Sequence, residues 1–162
     1  MRAARWLYLV ALAVWLGGLI VLGACVAPGL FGCLAPDGAA SGRQAAVGAF
    51  AAVLDRFHLV AYGAGTALLG SLGVMALIGP RPRPWAARLA LVMAMLASTF
   101  VVHVPLGRSI IWLQRDAGRL PSQLDAGDPR RAEFEWLHRS STALLLFNVA
   151  GGLVLLAWET RS

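Results

Sequence analysis

The amino-acid sequence predicts an all-α polytopic membrane protein, a bundle of four transmembrane helices, and three observations lead to this fold class. Of the 162 residues, 59% are hydrophobic and only 14% are charged, whereas a soluble domain is about half apolar and about a quarter charged. Four apolar runs are long enough to cross about 30 Å of hydrocarbon as helices. The arginines cluster at the ends of these runs instead of forming a stripe or tail, so we expect a lipid bilayer and no nucleic acid as partner.

The chain forms a single predicted domain, residues 1–162, in which each apolar run must be helical because unpaired backbone groups are costly in lipid. The four spans are expected at about 6–34, 45–79, 85–112 and 130–158. In the first span, Pro28 and Gly29 are expected to break the helix. The second span has no charged residue from Leu59 to Ile78.

The third span contains one histidine, His103, between Arg88 near its start and Arg108 near its end, and it is followed by a connection at 113–130. The fourth span is expected to begin before the membrane does. Asp128 is suited to cap its first turn, and Pro129 suits the first helical position.

The loop charges orient the bundle. Arg2 and Arg5 precede the first span, and the connection between the second and third spans carries Arg81, Arg83 and Arg88 without an acid. Positive loops remain on the cytoplasmic side. We therefore expect a multi-pass protein of the bacterial inner membrane, with both termini cytoplasmic and the 113–130 connection outside.

Three histidines on three predicted helices share one depth near the outer membrane face: His58, His103 and His138. Neutral imidazoles from several helices can hold copper, zinc or haem iron. The sequence therefore predicts a copper or zinc site, with haem as the less favoured cofactor. The open alternative is that each histidine only forms hydrogen bonds between helices at the membrane interface.

Polar residues at helical spacing surround these histidines, and together they form a predicted polar layer. Its members are Asp55, Tyr62, Thr99, Arg108, Glu135, Ser141 and Asn148. Asn148 lies so deep that it should face protein instead of lipid, which would turn the His138 face of the fourth helix inward. We also expect Arg108 to pair with Asp55 across the second and third helices.

The two cysteines, Cys25 and Cys33, lie toward the outer end of the first span. They are expected to be small buried hydrophobic residues. A disulfide bond or soft metal ligation remains open, the former only if the helix breaks between them. The stretch from Leu22 to Cys25 also resembles a lipoprotein cleavage site, but we expect this segment to remain as the first span.

Several short motifs resemble a known family. They are "WLGG" at Trp15–Gly18, "APGLF" at Ala27–Phe31, "RFH" at the start of the second span and "FEWLHRSS" at Phe134–Ser141. This arrangement resembles the bacterial four-helix membrane proteins of unknown function that are related to eukaryotic transmembrane protein 205. In that family a Phe–His–Ser pattern, here Phe134, His138 and Ser141, opens the last helix. A weaker similarity of "VWLGG" to copper-resistance D type membrane domains implies copper as the metal.

Three functions are compatible with these observations. The first is a non-enzymatic membrane protein that binds or transports a metal ion at the histidines. The second is an accessory or assembly subunit whose glycine-rich helix faces pack in a homo-oligomer or a larger membrane complex. The third is a haem- or quinol-linked redox protein. The sequence contains no nucleophile–base pair, phosphate loop or carboxylate dyad to support hydrolysis or phosphoryl transfer. A protein without enzymatic activity is therefore favoured, while the redox enzyme stays an open alternative.

Overall fold

The computed structural model describes residues 2–78, 84–117, 120, 124–125 and 127–160, and it contains no strand within these ranges. Four helices are long and apolar enough to cross a membrane: α1 at Arg2–Leu34, α2 at Ala40–Ile78, α3 at Trp85–Ala117 and α4 at Pro129–Thr160. The predicted fold class, an all-α four-helix membrane bundle, is confirmed. The basic connection with Arg81 and Arg83 lies outside the described residues.

The four helices form a closed ring in chain order, in which α1 packs on α2, α2 on α3, α3 on α4, and α4 again on α1. Neighbouring helices run in opposite directions because short connections join them. We call the end with the two chain termini the terminal end. The other end, with the connections after Leu34 and Ala117, is the loop end.

Two π-helical turns lie in the loop-end half of the bundle, at Leu22–Val26 in α1 and at Val102–Leu106 in α3. The first directly precedes the segment that contains Pro28, and the second contains Pro105. Proline lacks an N–H group and crowds the preceding turn, and a widened turn accommodates it without ending the helix. The expected break at Pro28 and Gly29 is therefore wrong, and α1 continues to Leu34.

The main core lies at the centre of the ring and toward the terminal end. Its largest fully buried apolar side chains include Trp15, Leu12, Leu68, Leu72 and Leu155. A smaller apolar cluster at the loop end joins the last turns of α3 to the first turns of α4, through Val102, Leu106, Leu113 and Leu137. Leu113 is buried in this second cluster. The third helix continues past its predicted end at residue 112 and ends at Ala117.

The start of α4 follows the local sequence signals. The backbone N–H of Arg130 donates a hydrogen bond of 2.9 Å to Oδ1 of Asp128, so Asp128 caps the first turn, and Pro129 is the first helical residue. One turn later, Arg131 pairs with Glu135 at 3.2 Å on the exposed face. These local contacts stabilise the first turns of the fourth helix.

Candidate functional site

The candidate site is a group of four side chains between α2 and α3 near the loop end, which we call the loop-end cluster. It consists of Asp55, His58 and Tyr62 from one face of α2 and His103 from the π-helical turn of α3. The three α2 residues are spaced at i, i+3 and i+7, so they line one helix face. π-helical turns are often found at functional sites, because they reorient a side chain within an otherwise regular helix.

His103 connects Asp55 and Tyr62 through its two ring nitrogens. Nε2 lies 2.9 Å from Oδ1 of Asp55, and Nδ1 lies 3.1 Å from the hydroxyl of Tyr62. One tautomer satisfies both contacts: Nε2–H donates to the carboxylate, and the Tyr62 hydroxyl donates to Nδ1. The Asp55 side chain is 69% exposed and that of His103 is 25% exposed. The result is a hydrogen-bonded chain of carboxylate, imidazole and phenol that begins at the surface.

His58 lies beneath His103 and is only 4% exposed. The two imidazole rings stack with centroids 4.6 Å apart and an angle of 16° between their planes. Both ring nitrogens of His58 are buried without a hydrogen-bond partner in the described part of the chain. An unsatisfied buried polar atom lowers the stability of the folded state by about 1–3 kcal/mol. The two His58 nitrogens are therefore available to bind a polar ligand.

The third predicted ligand, His138, is not part of this cluster. It is exposed, and its ring stacks on Phe134 of the same helix, with centroids 5.9 Å apart. The adjacent Leu137 faces the bundle instead. The expectation that His138 shares the inward face of Asn148 is wrong, because ten residues at 3.6 per turn leave the two side chains about 80° apart around the helix.

The geometry therefore brings two of the three predicted metal ligands together. The nitrogen lone pairs of His58 and His103 lie in two nearly parallel ring planes stacked one above the other. In this arrangement the two rings do not converge on one ion at bonding distances of about 2 Å. Within residues 2–78, 84–117 and 127–160, with residues 120 and 124–125, no group of three His, Cys, Asp or Glu side chains is placed to hold a metal ion.

A second polar group lies deeper, between α3 and α4. Nδ2 of Asn148 donates to Oγ of Ser98 at 2.7 Å and to the carbonyl of Leu144 at 2.9 Å, and Oγ1 of Thr99 donates to the carbonyl of Met95 at 2.9 Å. Asn148, Ser98 and Thr99 are all buried. Asn148 thus faces the bundle interior, as expected for an amide at this depth.

The other residues of the predicted polar layer have local partners or face outward. Asp55 pairs with His103 and not with Arg108, which is exposed and forms no ion pair with another described residue. Glu135 pairs with Arg131, and the Ser141 hydroxyl donates to the carbonyl of Leu137 at 2.8 Å within α4. The predicted pairing of Asp55 with Arg108 is wrong, since Arg108 follows the π-helical turn onto an exposed surface.

Both cysteines are exposed thiols. Cys25 and Cys33 do not form a disulfide bond. Because α1 continues without a break, eight residues separate them by about 12 Å along the helix axis, which is too far for a disulfide. The expectation that they are buried is also wrong.

A charged group at the terminal end, which we call the terminal-end clamp, was not predicted from the sequence. Arg88 is fully buried and forms an ion pair with Glu159, and its Nη2 donates to the carbonyl of Trp158 at 3.0 Å. Nε of Arg5 lies 3.4 Å from Oε2 of the same glutamate. The available signal was the position of Arg88 one turn inside an apolar helix, opposite an acid near the end of α4.

A mostly apolar section separates the terminal-end clamp from the polar groups nearer the loop end. Leu68, Leu72, Val92 and Leu155 are completely buried there. The buried Ser71 hydroxyl also lies in this section and has no hydrogen-bond partner in the described part of the chain. No hydrogen-bonded chain of described side chains therefore joins the two ends of the bundle.

Comparisons of the chain with protein-family models, with curated proteins and with solved structures found no match. The resemblance to the relatives of transmembrane protein 205 therefore stays a prediction.

Proposed function

We propose that this chain is a multi-pass protein of the bacterial inner membrane that exchanges protons at its loop-end cluster. The placement of Arg2 and Arg5 at the terminal end supports cytoplasmic termini. The loop-end cluster then faces the outside. Its surface carboxylate would meet extracytoplasmic water, and its half-buried phenol would lie two helical turns further along α2.

The observation that carries this proposal is the chain from Asp55 through His103 to Tyr62, with contacts of 2.9 and 3.1 Å. Ionisable residues are costly inside a membrane bundle, and where they occur they often mark ion pathways and proton relays. An imidazole is suited to this task because its charge ordinarily changes near neutral pH and because it has two distinct nitrogens.

The geometry gives each residue one role. When the Tyr62 hydroxyl passes its proton to Nδ1 of His103, the ring releases the proton on Nε2 to the Asp55 carboxylate. The net result is one proton moved from Tyr62 to Asp55. Water at the half-exposed Tyr62 hydroxyl returns a proton to the phenolate, and the Asp55 carboxyl releases its proton to water at the surface. The reverse steps move one proton inward. Thr66 donates to the backbone carbonyl of Tyr62 at 2.8 Å and not to the phenol oxygen, so Thr66 does not compete with His103 for the Tyr62 hydroxyl.

The test is whether a change in the protonation of His103 alters the NMR signal of the Tyr62 ring. In protein with isotope-labelled tyrosine, the Tyr62 ring signal should change with pH in the wild type. The change should disappear in His103→Gln and remain in His138→Gln, a matched control because His138 is exposed and outside the cluster. A Tyr62 response that survives in His103→Gln would rule out the relay.

One observation favours a second candidate function, the binding of a copper or zinc ion. Both nitrogens of buried His58 are unpartnered within the described residues, and Asp55 lies three residues earlier on the same helix face. These two residues would hold the ion, with His103 positioning the carboxylate through its 2.9 Å contact. Metal analysis of purified protein should then find copper or zinc in the wild type and in His138→Ala, but not in His58→Ala. Equal metal content in all three would contradict this candidate.

A further inference from the structure

A cleft of about 420 Å³ opens between α2 and α3 on the loop-end side of the loop-end cluster. Its lining includes Gln44, Gly48 and Ala51 from α2 and Ile111, Gln114 and Arg115 from α3. Ligand sites typically have volumes of about 300–1,000 Å³. This cleft lies toward the small end of that range, so it suits a compact ligand instead of a two-chain lipid.

The α2 wall of the cleft lies on the helix face that also carries the loop-end cluster. Gln44, Gly48, Ala51, Asp55 and His58 follow one another at steps of four, three, four and three residues. Such steps keep side chains on one face of an α-helix. The floor of the cleft therefore ends one turn from Asp55. Gly48 has open space where a side chain would begin, with no atom within 4 Å, and this absence of a side chain keeps the cleft open.

The lining has two chemical parts. Arg115 supplies a positive charge, and Gln44 and Gln114 supply amide donors. None of these three side chains forms a hydrogen bond or ion pair with the described part of the chain. Ala51, Ile111 and Val47 supply apolar walls. A guanidinium with two amides favours a carboxylate, and the apolar walls favour a hydrocarbon body.

We infer that this cleft binds a single-chain amphipathic carboxylate, with its head group at Arg115 and its chain along Gly48, Ala51 and Ile111. The inference goes beyond the proposed function, since a ligand can occupy the cleft whether or not His103 relays protons. It adds a binding site of stated chemistry next to the acid–base cluster.

The experiment uses a photoreactive fatty acid with the full-length protein in nanodiscs of zwitterionic lipid. The probe should label peptides that contain Val47 or Ile111. Gly48→Leu should lower this labelling about tenfold by filling the cleft. Gly63→Leu is the matched control, because Gly63 is on the same helix, also has no atom within 4 Å of a new side-chain carbon, and is outside the cleft. It should label like the wild type.

A second pair of variants tests the head group. Arg115→Gln should lower labelling about tenfold, as expected for the loss of a charge-assisted hydrogen bond, whereas Arg108→Gln on the same helix should not. Equal labelling of wild type and Gly48→Leu would overturn the inference. Stronger labelling of the same peptides by a photoreactive phosphatidylglycerol than by the fatty acid would overturn the single-chain ligand.

Discussion

The three histidines differ in what their neighbours offer to the ring nitrogens. His103 has a carboxylate on one nitrogen and a phenol hydroxyl on the other, so a neutral His103 ring satisfies both with its proton on Nε2. His58 is buried against it with neither nitrogen satisfied by a described residue. His138 is exposed beside Phe134. Only His103 thus has a partner at both ring nitrogens among the described residues, and it is the histidine to which we assign the proposed proton exchange.

Asn148 provides a residue-level test of the buried polar contacts. Asn148→Ala should lower the free energy of unfolding by about 1 kcal/mol, because interhelical hydrogen bonds in membranes average about 0.6 kcal/mol and the buried Ser98 oxygen loses the N–H group that donates to it. Thr142→Ala is the control, since the Thr142 hydroxyl is exposed and bonds only within its own helix. Equal losses in both variants, measured by reversible unfolding in bicelles, would show that the Asn148 contacts to Ser98 do not stabilise the bundle.

At the scale of the helices, close packing depends on particular glycines and not on glycine content. A side-chain carbon at Gly65 would lie 2.4 Å from Cδ2 of Leu96 and 3.0 Å from Trp15, so α1, α2 and α3 meet at this point. By contrast, Gly63, Gly70 and Gly73 have open space around them. Small residues permit helices to approach closely in lipid. At Gly65 the absence of a side chain permits the close approach of α2 to Leu96 and Trp15.

Substitution of Gly65 tests this packing. Gly65→Ala should destabilise the protein by about 1–3 kcal/mol, because Trp15 is buried and cannot move without disturbing the core. Gly63→Ala, two residues earlier, should be neutral or slightly stabilising because alanine favours a helix over glycine. Thermal unfolding of the two variants in the same detergent measures the difference. A Gly65→Ala protein as stable as Gly63→Ala would contradict the described packing.

At the scale of the whole molecule, the terminal-end clamp closes the ring. Arg88 on α3 pairs with Glu159 on α4, and Arg5 on α1 reaches the same carboxylate. Three helices are thus joined through one glutamate at the end opposite the loop-end cluster. The pair is nearly inaccessible to solvent, with Arg88 at 0% and the Glu159 side chain at 9% exposure.

Breaking the ion pair between Arg88 and Glu159 should lower the free energy of unfolding. Arg88→Ala leaves a poorly hydrated carboxylate with only Arg5, and removal of one partner of a buried ion pair costs about 3–5 kcal/mol. Arg131→Ala, which removes an exposed pair with Glu135, should cost about 0–1 kcal/mol. Adding Glu159→Ala to Arg88→Ala should recover part of the loss. A loss no larger than that of Arg131→Ala in chemical unfolding would contradict a stabilising role for the clamp.

Much of the architecture could be predicted from sequence because hydropathy and length alone decide which segments cross a membrane. The Asp128 cap could be predicted for a similar reason, since it is a local signal. The site could be predicted only in part. The α2 face with Asp55, His58 and Tyr62 followed from spacing, and the depth of His103 from its position in the third span. The π-helical turns leave no simple sequence pattern, and the pairing of Asp55 with His103 instead of Arg108 depends on one of them.

Arg88 shows a second reason why some contacts could not be predicted from the sequence. Charge counting assigned Arg88 to a basic connection, whereas burial depends on which helix packs opposite it. That neighbour is α4, whose Glu159 supplies the compensating charge. Similarly, the orientation of His138 could not be inferred from Asn148, because a ten-residue step accumulates a rotation of about 80°.

The hydrogen-bonded chain from Asp55 through His103 to Tyr62 can be tested by measuring the ¹⁵N chemical shifts of His103 in labelled protein, at a pH where its ring is neutral. The geometry predicts a protonated Nε2 and an unprotonated, hydrogen-bonded Nδ1 in the wild type. Asp55→Ala should release the ring into a mixture of both tautomers. A wild-type His103 with its proton on Nδ1, or a tautomer ratio unchanged by Asp55→Ala, would contradict the relay.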